Sequence, residues 1–185
     1  MKKIISFTVL LFLSFSLFAK SFYFDAGIGS GFVFYGDEDL KSALSNFDNN
    51  RQMIVSFDSS INFPLADEIQ LSFGGTSIID SRWKDSQSII LCDYAIFTGF
   101  NVFPTNSGFL FSINYCLGRR TDFFNFDYDS FSKNTNWGNG FFLEAAYNFG
   151  YPDFNFAPEI TLSWRRMPRG GSADNILELK FRLNF

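Results

Sequence analysis

The last nine residues, Leu177-Glu178-Leu179-Lys180-Phe181-Arg182-Leu183-Asn184-Phe185, alternate between apolar and polar side chains without a break. Successive side chains of a β-strand point to opposite faces, so this period of two predicts a strand with two chemically different faces. Such a strand needs an apolar environment on one side and a polar one on the other. The apolar face consists of Leu177, Leu179, Phe181, Leu183 and Phe185.

The same alternation recurs throughout the chain and predicts seven further strands. Short connections rich in Pro, Gly, Asn and Asp follow the second, fourth and sixth strands, whereas the other four connections are longer on average. This pattern predicts an all-β fold, an eight-stranded antiparallel up-and-down barrel with short turns at one end and longer loops at the other. The seven further strands are predicted at about 22–35, 51–63, 68–79, 88–103, 109–120, 139–150 and 154–166, and the longer connections at about 36–50, 80–87, 121–138 and 167–175.

Side-chain volume decides which face of the barrel points inward. The interior of an eight-stranded barrel is barely wide enough for its own side chains, so it has no room for the many aromatic rings of the apolar face. The other face carries small residues and charges, which suit a narrow polar interior. Ten ionisable residues are therefore predicted to form a structural network inside the barrel: Asp25, Asp58, Asp93, Arg120, Glu144, Glu159, Arg165, Glu178, Lys180 and Arg182.

One ion pair within this interior can be predicted from the closure of the barrel. The first and last strands are neighbours in a closed up-and-down barrel. Asp25 lies on the first strand, and Lys180 and Arg182 lie on the last. We therefore expect Asp25 to pair with Lys180 or Arg182.

The first 19 residues have the pattern of a secretory signal peptide. Lys2 and Lys3 precede an apolar run from residue 4 to residue 18, and Ala19 is a small residue suited to cleavage. The run of about 15 residues is short of the roughly 20 that span a bilayer as a helix. The predicted organisation is a signal peptide at 1–19 and a single barrel domain at 20–185.

Composition narrows the classes of function. The chain contains no His, which removes most general acids and bases and most transition-metal sites, so we predict no enzymatic activity, no cofactor and no metal. Without Lys2 and Lys3 the chain carries 13 basic and 19 acidic residues, a net charge of −6, which argues against nucleic acid as a partner. The acidic residues Asp37, Glu38, Asp39 and Asp48 match no calcium-loop signature.

The two cysteines, Cys92 and Cys116, are predicted to remain free thiols. Folding the fourth and fifth strands about residue 106 sets Cys116 opposite Ile96, four residues from Cys92. Four residues of a strand span about 13 Å, beyond the reach of a disulfide. Cys92 is also predicted to point outward and Cys116 inward.

The connection at 121–138 is unusually rich in aromatic residues among Asp and Asn. Exposed aromatic residues in a loop can form a binding surface. They can also belong to the aromatic girdle that meets a membrane interface. The sequence leaves both interpretations open for Phe123, Phe124, Phe126, Tyr128, Phe131 and Trp137.

The secretory signal, the alternation and the terminal Phe185 together resemble the small eight-stranded bacterial outer-membrane barrels of the OmpX, OmpA-transmembrane-domain and OmpW type. The resemblance implies a monomer in the outer membrane of a diderm bacterium. It also implies that outer-membrane lipid, periplasmic chaperones and the barrel assembly machinery are partners. In this family the alternating terminal residues, here Leu177, Leu179, Phe181, Leu183 and Phe185, form the signal for membrane assembly.

The resemblance leaves several functions open. The favoured one is a structural or adhesion protein with a plugged polar lumen, which contacts a host or surface ligand through its loops. The second is a narrow OmpW-like channel for small or hydrophobic solutes, and a soluble secreted lipocalin-like binding barrel is a third. The barrel enzymes of the outer membrane depend on a catalytic His, which this chain lacks.

Overall fold

The computed structural model describes residues 22–47, 51–104, 107–127, 129–151 and 156–185, so the predicted signal peptide lies outside the described residues. The described residues form nine β-strands and one short α-helix. In chain order they are β1 (Tyr23–Phe34), α1 (Glu38–Ser45), β2 (Arg51–Ala66), β3 (Ile69–Lys84), β4 (Gln87–Val102), β5 (Phe109–Phe126), β6 (Asp129–Asn134), β7 (Gly138–Asn148), β8 (Ala157–Arg169) and β9 (Ser172–Asn184).

Eight of these strands close into one antiparallel barrel. β1 pairs with β2 and β9, β4 pairs with β3 and β5, and the ring continues from β5 through β7 and β8 to β9. β6 lies outside the ring and, among the described residues, pairs with β5 alone. The predicted eight-stranded antiparallel barrel is therefore confirmed.

The barrel has two distinct ends. Phe24 and Phe185 exchange backbone hydrogen bonds of 3.1 and 2.8 Å, so the first and last strands meet at what we call the terminal end. A two-residue turn at 67–68 joins β2 to β3 at this same end. The connections that follow β1, β3, β5 and β8 lie at the opposite end, which we call the loop end.

Two of the four predicted loops are tight hairpins instead. The sequence predicts loops at 80–87 and 167–175, but β3 and β4 stay paired up to a two-residue turn at 85–86. β8 and β9 likewise stay paired up to a turn at residue 170, where Gly170 has a φ of 70° that glycine adopts without steric cost. These loop predictions are wrong because the alternation continues through polar side chains at the hairpin tips.

The predicted loop at 121–138 is also largely sheet. β5 continues to Phe126, and β6 pairs back along it from Thr121↔Asn134 to Phe126↔Asp129. β7 begins at Gly138 and pairs with the part of β5 nearer the terminal end, from Phe109 to Gly118. The β5–β6 hairpin therefore rises beyond the tip of the neighbouring β8–β9 hairpin.

The connection between β1 and β2 contains the helix α1, which the sequence does not predict. Asp37 caps its N-terminus, since the Asp37 Oδ1 atom accepts hydrogen bonds from the backbone N–H of Asp39 and Leu40 at 3.0 and 3.2 Å. Leu40 and Leu44 are buried in an apolar cluster at the barrel mouth, together with Tyr35, Phe47, Ile89 and Leu91. In the described part of the chain, no helix is long and apolar enough to cross a membrane.

The burial of Leu44 predicts how α1 responds to mutation. Leu44→Ala leaves a cavity between α1 and the barrel mouth, so the free energy of local opening of α1 is expected to fall by about 2–5 kcal/mol. Hydrogen exchange of the α1 amides measures this change. Ser42→Ala, on the exposed face of α1, should leave that exchange unaltered, and equal exchange in both variants would contradict the packing.

The two faces of the sheet have the expected chemistry. The outer face is a belt of large exposed apolar side chains, whereas polar and charged side chains dominate the inner face. On β9 the residues of the predicted assembly signal point outward, and Leu179 and Phe181 are 59% and 48% exposed. Their role in membrane assembly remains a prediction.

Both cysteines are free, as expected, but the predicted register of β4 and β5 is wrong by one residue. Cys116 lies opposite Phe97 rather than Ile96, and Cys92 lies opposite Thr121. Residues directly opposite each other share a face of the sheet, so an inward Cys116 requires an inward partner. Phe97 points inward and Ile96 points outward, which fixes the observed register.

Candidate functional site

The barrel interior contains most of the charged side chains of the strands. All ten ionisable residues expected inside are buried there. Four more buried charges, in segments predicted to be loops, continue the same inward alternation at the loop end: Asp80, Asp122, Arg169 and Asp174. Among the described residues, fourteen charged side chains are therefore buried inside the barrel rather than ten.

The terminal-end network consists of Asp58, Glu144, Glu159, Lys180 and Arg182. The Arg182 guanidinium contacts three carboxylates, with N···O distances of 2.7 Å to Asp58 and 3.4 Å to Glu159 and a closer contact to Glu144. The Lys180 Nζ atom lies 2.5 Å from Asp58 and 3.3 Å from Glu144. Two cations thus bridge three acids contributed by three different strands.

The predicted ion pair of Asp25 with Lys180 or Arg182 is wrong. Asp25 instead accepts hydrogen bonds from Ser60 Oγ at 3.0 Å and Asn62 Nδ2 at 2.5 Å, and no ion pair involves it in the described part of the chain. The reason lies in the register, because Arg182 is opposite Gly27 and directs its guanidinium across the barrel to other carboxylates.

The loop-end network is a chain of alternating charges made of Asp93, Asp122, Asp174, Arg120, Arg165 and Arg169. Asp93 joins Arg165 and Arg169 at 3.1 and 2.6 Å. Asp174 joins Arg169 and Arg120 at 2.7 and 2.5 Å, and Arg120 also contacts Asp122 at 2.6 Å. Three acids and three arginines therefore alternate along one chain of ion pairs, which balances their charges.

Apolar layers, which were not predicted from the sequence, separate and flank these networks. Ala95, Phe97, Cys116, Phe142 and Met167 form one layer, and the Lys180 Nζ atom lies 4.7 Å from the centre of the Phe142 ring. A second layer at the terminal end contains Phe103, Leu110 and Ala146. The α1 cluster forms the third layer, at the loop end. The strand residues of these layers lie at inward-facing positions of the alternation, so the sequence contained a signal for them, whereas the residues of α1 do not follow it.

The aromatic residues predicted at 121–138 separate into three groups. Phe124 and Phe126 pack against the α1 cluster, and Phe124 stacks on Phe131 with ring centroids 4.8 Å apart. Phe123 and Phe131 are exposed. Trp137 packs against the Arg119 guanidinium on the outer rim of the barrel, with the Arg119 Cζ atom 5.7 Å from the centroid of the Trp137 ring. Tyr128 lies outside the described residues.

Two grooves flank the β5–β6 hairpin. One, of about 410 Å³, is lined by Ile90, Phe123 and Phe131 together with serine and asparagine side chains. The other, of about 250 Å³, lies between α1 and the hairpin and includes Phe131 and Lys133. The tip of the hairpin is held to the β3–β4 turn by Asp127, whose pKa is lowered by hydrogen bonds from Ser86 and Gln87.

The described side chains combine ion networks inside the barrel with aromatic and polar groups at the loop end. Among the described residues, no three His, Cys, Asp or Glu side chains are grouped to hold a metal ion. The interior carboxylates are largely committed to arginine and lysine partners, and the candidate binding groups are the aromatic and polar side chains of the loop end. The arrangement therefore suits structural stabilisation inside the barrel and recognition at its loop end.

A closed eight-stranded barrel with a charged interior and an apolar outer belt has the fold of the small outer-membrane β-barrel proteins. Ail, the attachment invasion locus protein of Yersinia pestis, shares this fold with a TM-score of 0.57 at 11% identity, over 89% of this chain and 97% of Ail. Ail in complex with the heparin analogue sucrose octasulfate gives a TM-score of 0.58 at 12% identity, over 89% and 99% of the two chains.

Neisserial surface protein A also has this fold. Its TM-score is 0.54 at 12% identity, and the match covers 90% of this chain and 99% of the neisserial protein. No protein-family model matches the chain, and no curated protein matches it in sequence. At such low identity, the similarity to solved structures establishes the fold.

Proposed function

We propose that this protein is an outer-membrane barrel whose lumen is plugged by its own side chains and whose loop end binds a surface ligand, in a structural or adhesive role. The fold supports the membrane location, because closure pairs each of the eight barrel strands on both sides and an apolar belt faces outward. Lipid would then surround the belt, and the chain would reach it through the secretory route and the barrel assembly machinery.

The observation that carries the plugged lumen is the pair of interior ion networks with apolar layers on either side. The interior of an eight-stranded barrel has little space beyond its own side chains, and here, counting the described residues, it holds fourteen buried charges as well as several aromatic rings. A water-filled pore would separate the ion pairs or leave them solvated. The α1 cluster also lies over the mouth at the loop end.

Single-channel recording in planar bilayers tests the plugged lumen. The folded protein is expected to give no conductance steps above the protein-free baseline. A sixteen-stranded porin, which has an aqueous channel, serves as the positive control in the same bilayers. Reproducible unitary steps from this protein would reject the plugged lumen and favour the narrow channel.

A further inference from the structure

In the part of the chain that the structure describes, one edge of the strand β6 is unpaired at the loop end. β6 pairs with β5 along one edge. Beyond its other edge, β8 ends at Arg169, closer to the terminal end than β6, and so does not pair with it. A cavity of about 210 Å³ fills the resulting gap, between Asn134 and Thr135 on one side and Ser172 and Asp174 on the other. All six residues of β6 are exposed. Unpaired backbone groups on such an edge are a template for another strand.

We propose that β6 pairs edge to edge, in antiparallel orientation, with β6 of a second copy of this chain. Asp129, Phe131 and Lys133 are every second residue of β6, so their side chains lie on the same face of the strand. An antiparallel pair centred on Phe131 sets Asp129 of each copy opposite Lys133 of the other and sets the two Phe131 rings opposite each other. Opposite charges and aromatic pairs across strands are both stabilising, so this edge is complementary to itself.

The orientation of the pair follows from the barrel. β6 continues the direction of the barrel strands, since it pairs in register with β5. A two-fold axis that makes two β6 strands antiparallel therefore also reverses the barrel axis. The two copies then meet loop end to loop end, with their terminal ends pointing apart. This contact joins barrels in two facing membranes, and it deepens the adhesive role proposed above, on which it rests.

Barrels isolated one per lipid nanodisc test this contact. Sedimentation velocity of the wild-type discs is expected to show a concentration-dependent species of two discs. Asp129→Lys or Lys133→Asp alone places like charges opposite each other twice and should weaken pairing roughly tenfold. An equimolar mixture of the two single variants restores opposite charges and should pair, as should the double variant Asp129→Lys/Lys133→Asp.

Asp67→Lys is the matched control, since it makes the same charge change at an exposed residue of the 67–68 turn, at the terminal end of the barrel and far from β6. Each variant is checked for its folded band on an unheated denaturing gel. Wild-type discs that stay single at every concentration would overturn the proposal. So would pairing that ignores both single variants, or single variants that do not pair when mixed. Bilayer conductance is recorded on the same preparations, so a plugged barrel that does not pair rejects the contact alone.

Discussion

Arg182→Met is expected to destabilise the folded barrel by about 3–5 kcal/mol, because it leaves three buried carboxylates with one cation. Arg182 contacts Asp58, Glu144 and Glu159, and among the described residues Lys180 is the one cation that remains near the first two. Methionine fills much of the same volume, so the loss reports the charge rather than a cavity. Urea unfolding of the protein, folded in detergent or bilayers, measures the free energy of unfolding.

Arg166→Met is the matched control for this prediction. Arg166 points outward at the loop end, and its side chain donates one hydrogen bond, of 3.3 Å, to half-buried Asn175. Its replacement should change the free energy of unfolding by less than about 0.5 kcal/mol, as is usual for surface substitutions. Comparable losses in the two variants would show that the terminal-end network is not what stabilises the barrel.

A second comparison separates charge from geometry at Arg182. Arg182→Lys keeps a cation but loses the planar fork that reaches three acids at once. We expect the free energy of unfolding of Arg182→Lys to lie between that of the wild type and that of Arg182→Met. If Arg182→Lys and Arg182→Met were equally unstable, the shape of the guanidinium would matter more than its charge.

The barrel could be predicted from the sequence because its outer face is apolar and its inner face is ionic. A strand between an apolar exterior and an ionic interior alternates with period two, and that pattern survives uncertainty about strand ends. Asp93 and Glu178, for example, are buried on the inner face where the alternation puts them. The alternation also requires that residues opposite each other share a face of the sheet. A register that places inward Cys116 opposite outward Ile96 breaks this requirement, so the one-residue error could have been recognised from the sequence.

The loop end was harder to predict because its order depends on tertiary contacts. The eight residues of α1 are too few to form a stable helix alone, and their burial against Ile89 and Leu91 supplies the missing stability. β6 exists because β5 extends beyond the barrel and gives it a partner. The partners of Asp25 likewise depend on which carboxylates Arg182 reaches across the barrel, which no single strand encodes.

The seam between β1 and β9 closes the barrel, and glycine on β1 makes that closure possible. A Cβ atom added to Gly29 would lie 2.6 Å from Lys180 Cγ and 2.8 Å from Lys180 Cα, and it would also overlap the backbone oxygen of Leu179. The side chain of Lys180 can bend away, but the backbone of β9 cannot move without breaking the hydrogen bonds of the seam. Any side chain at residue 29 therefore pushes the two strands apart.

Gly29→Val is accordingly expected to prevent closure, at a cost above the roughly 3 kcal/mol of ordinary overpacking. An open seam leaves two strand edges unpaired, and unpaired backbone groups in lipid each cost several kcal/mol, so the whole barrel should fail to fold rather than only its seam. The readout is loss of the heat-modifiable folded band. Ala26→Val, on the outer face of the same strand, should fold normally, and a wild-type yield of folded Gly29→Val would show that β9 can yield at this point.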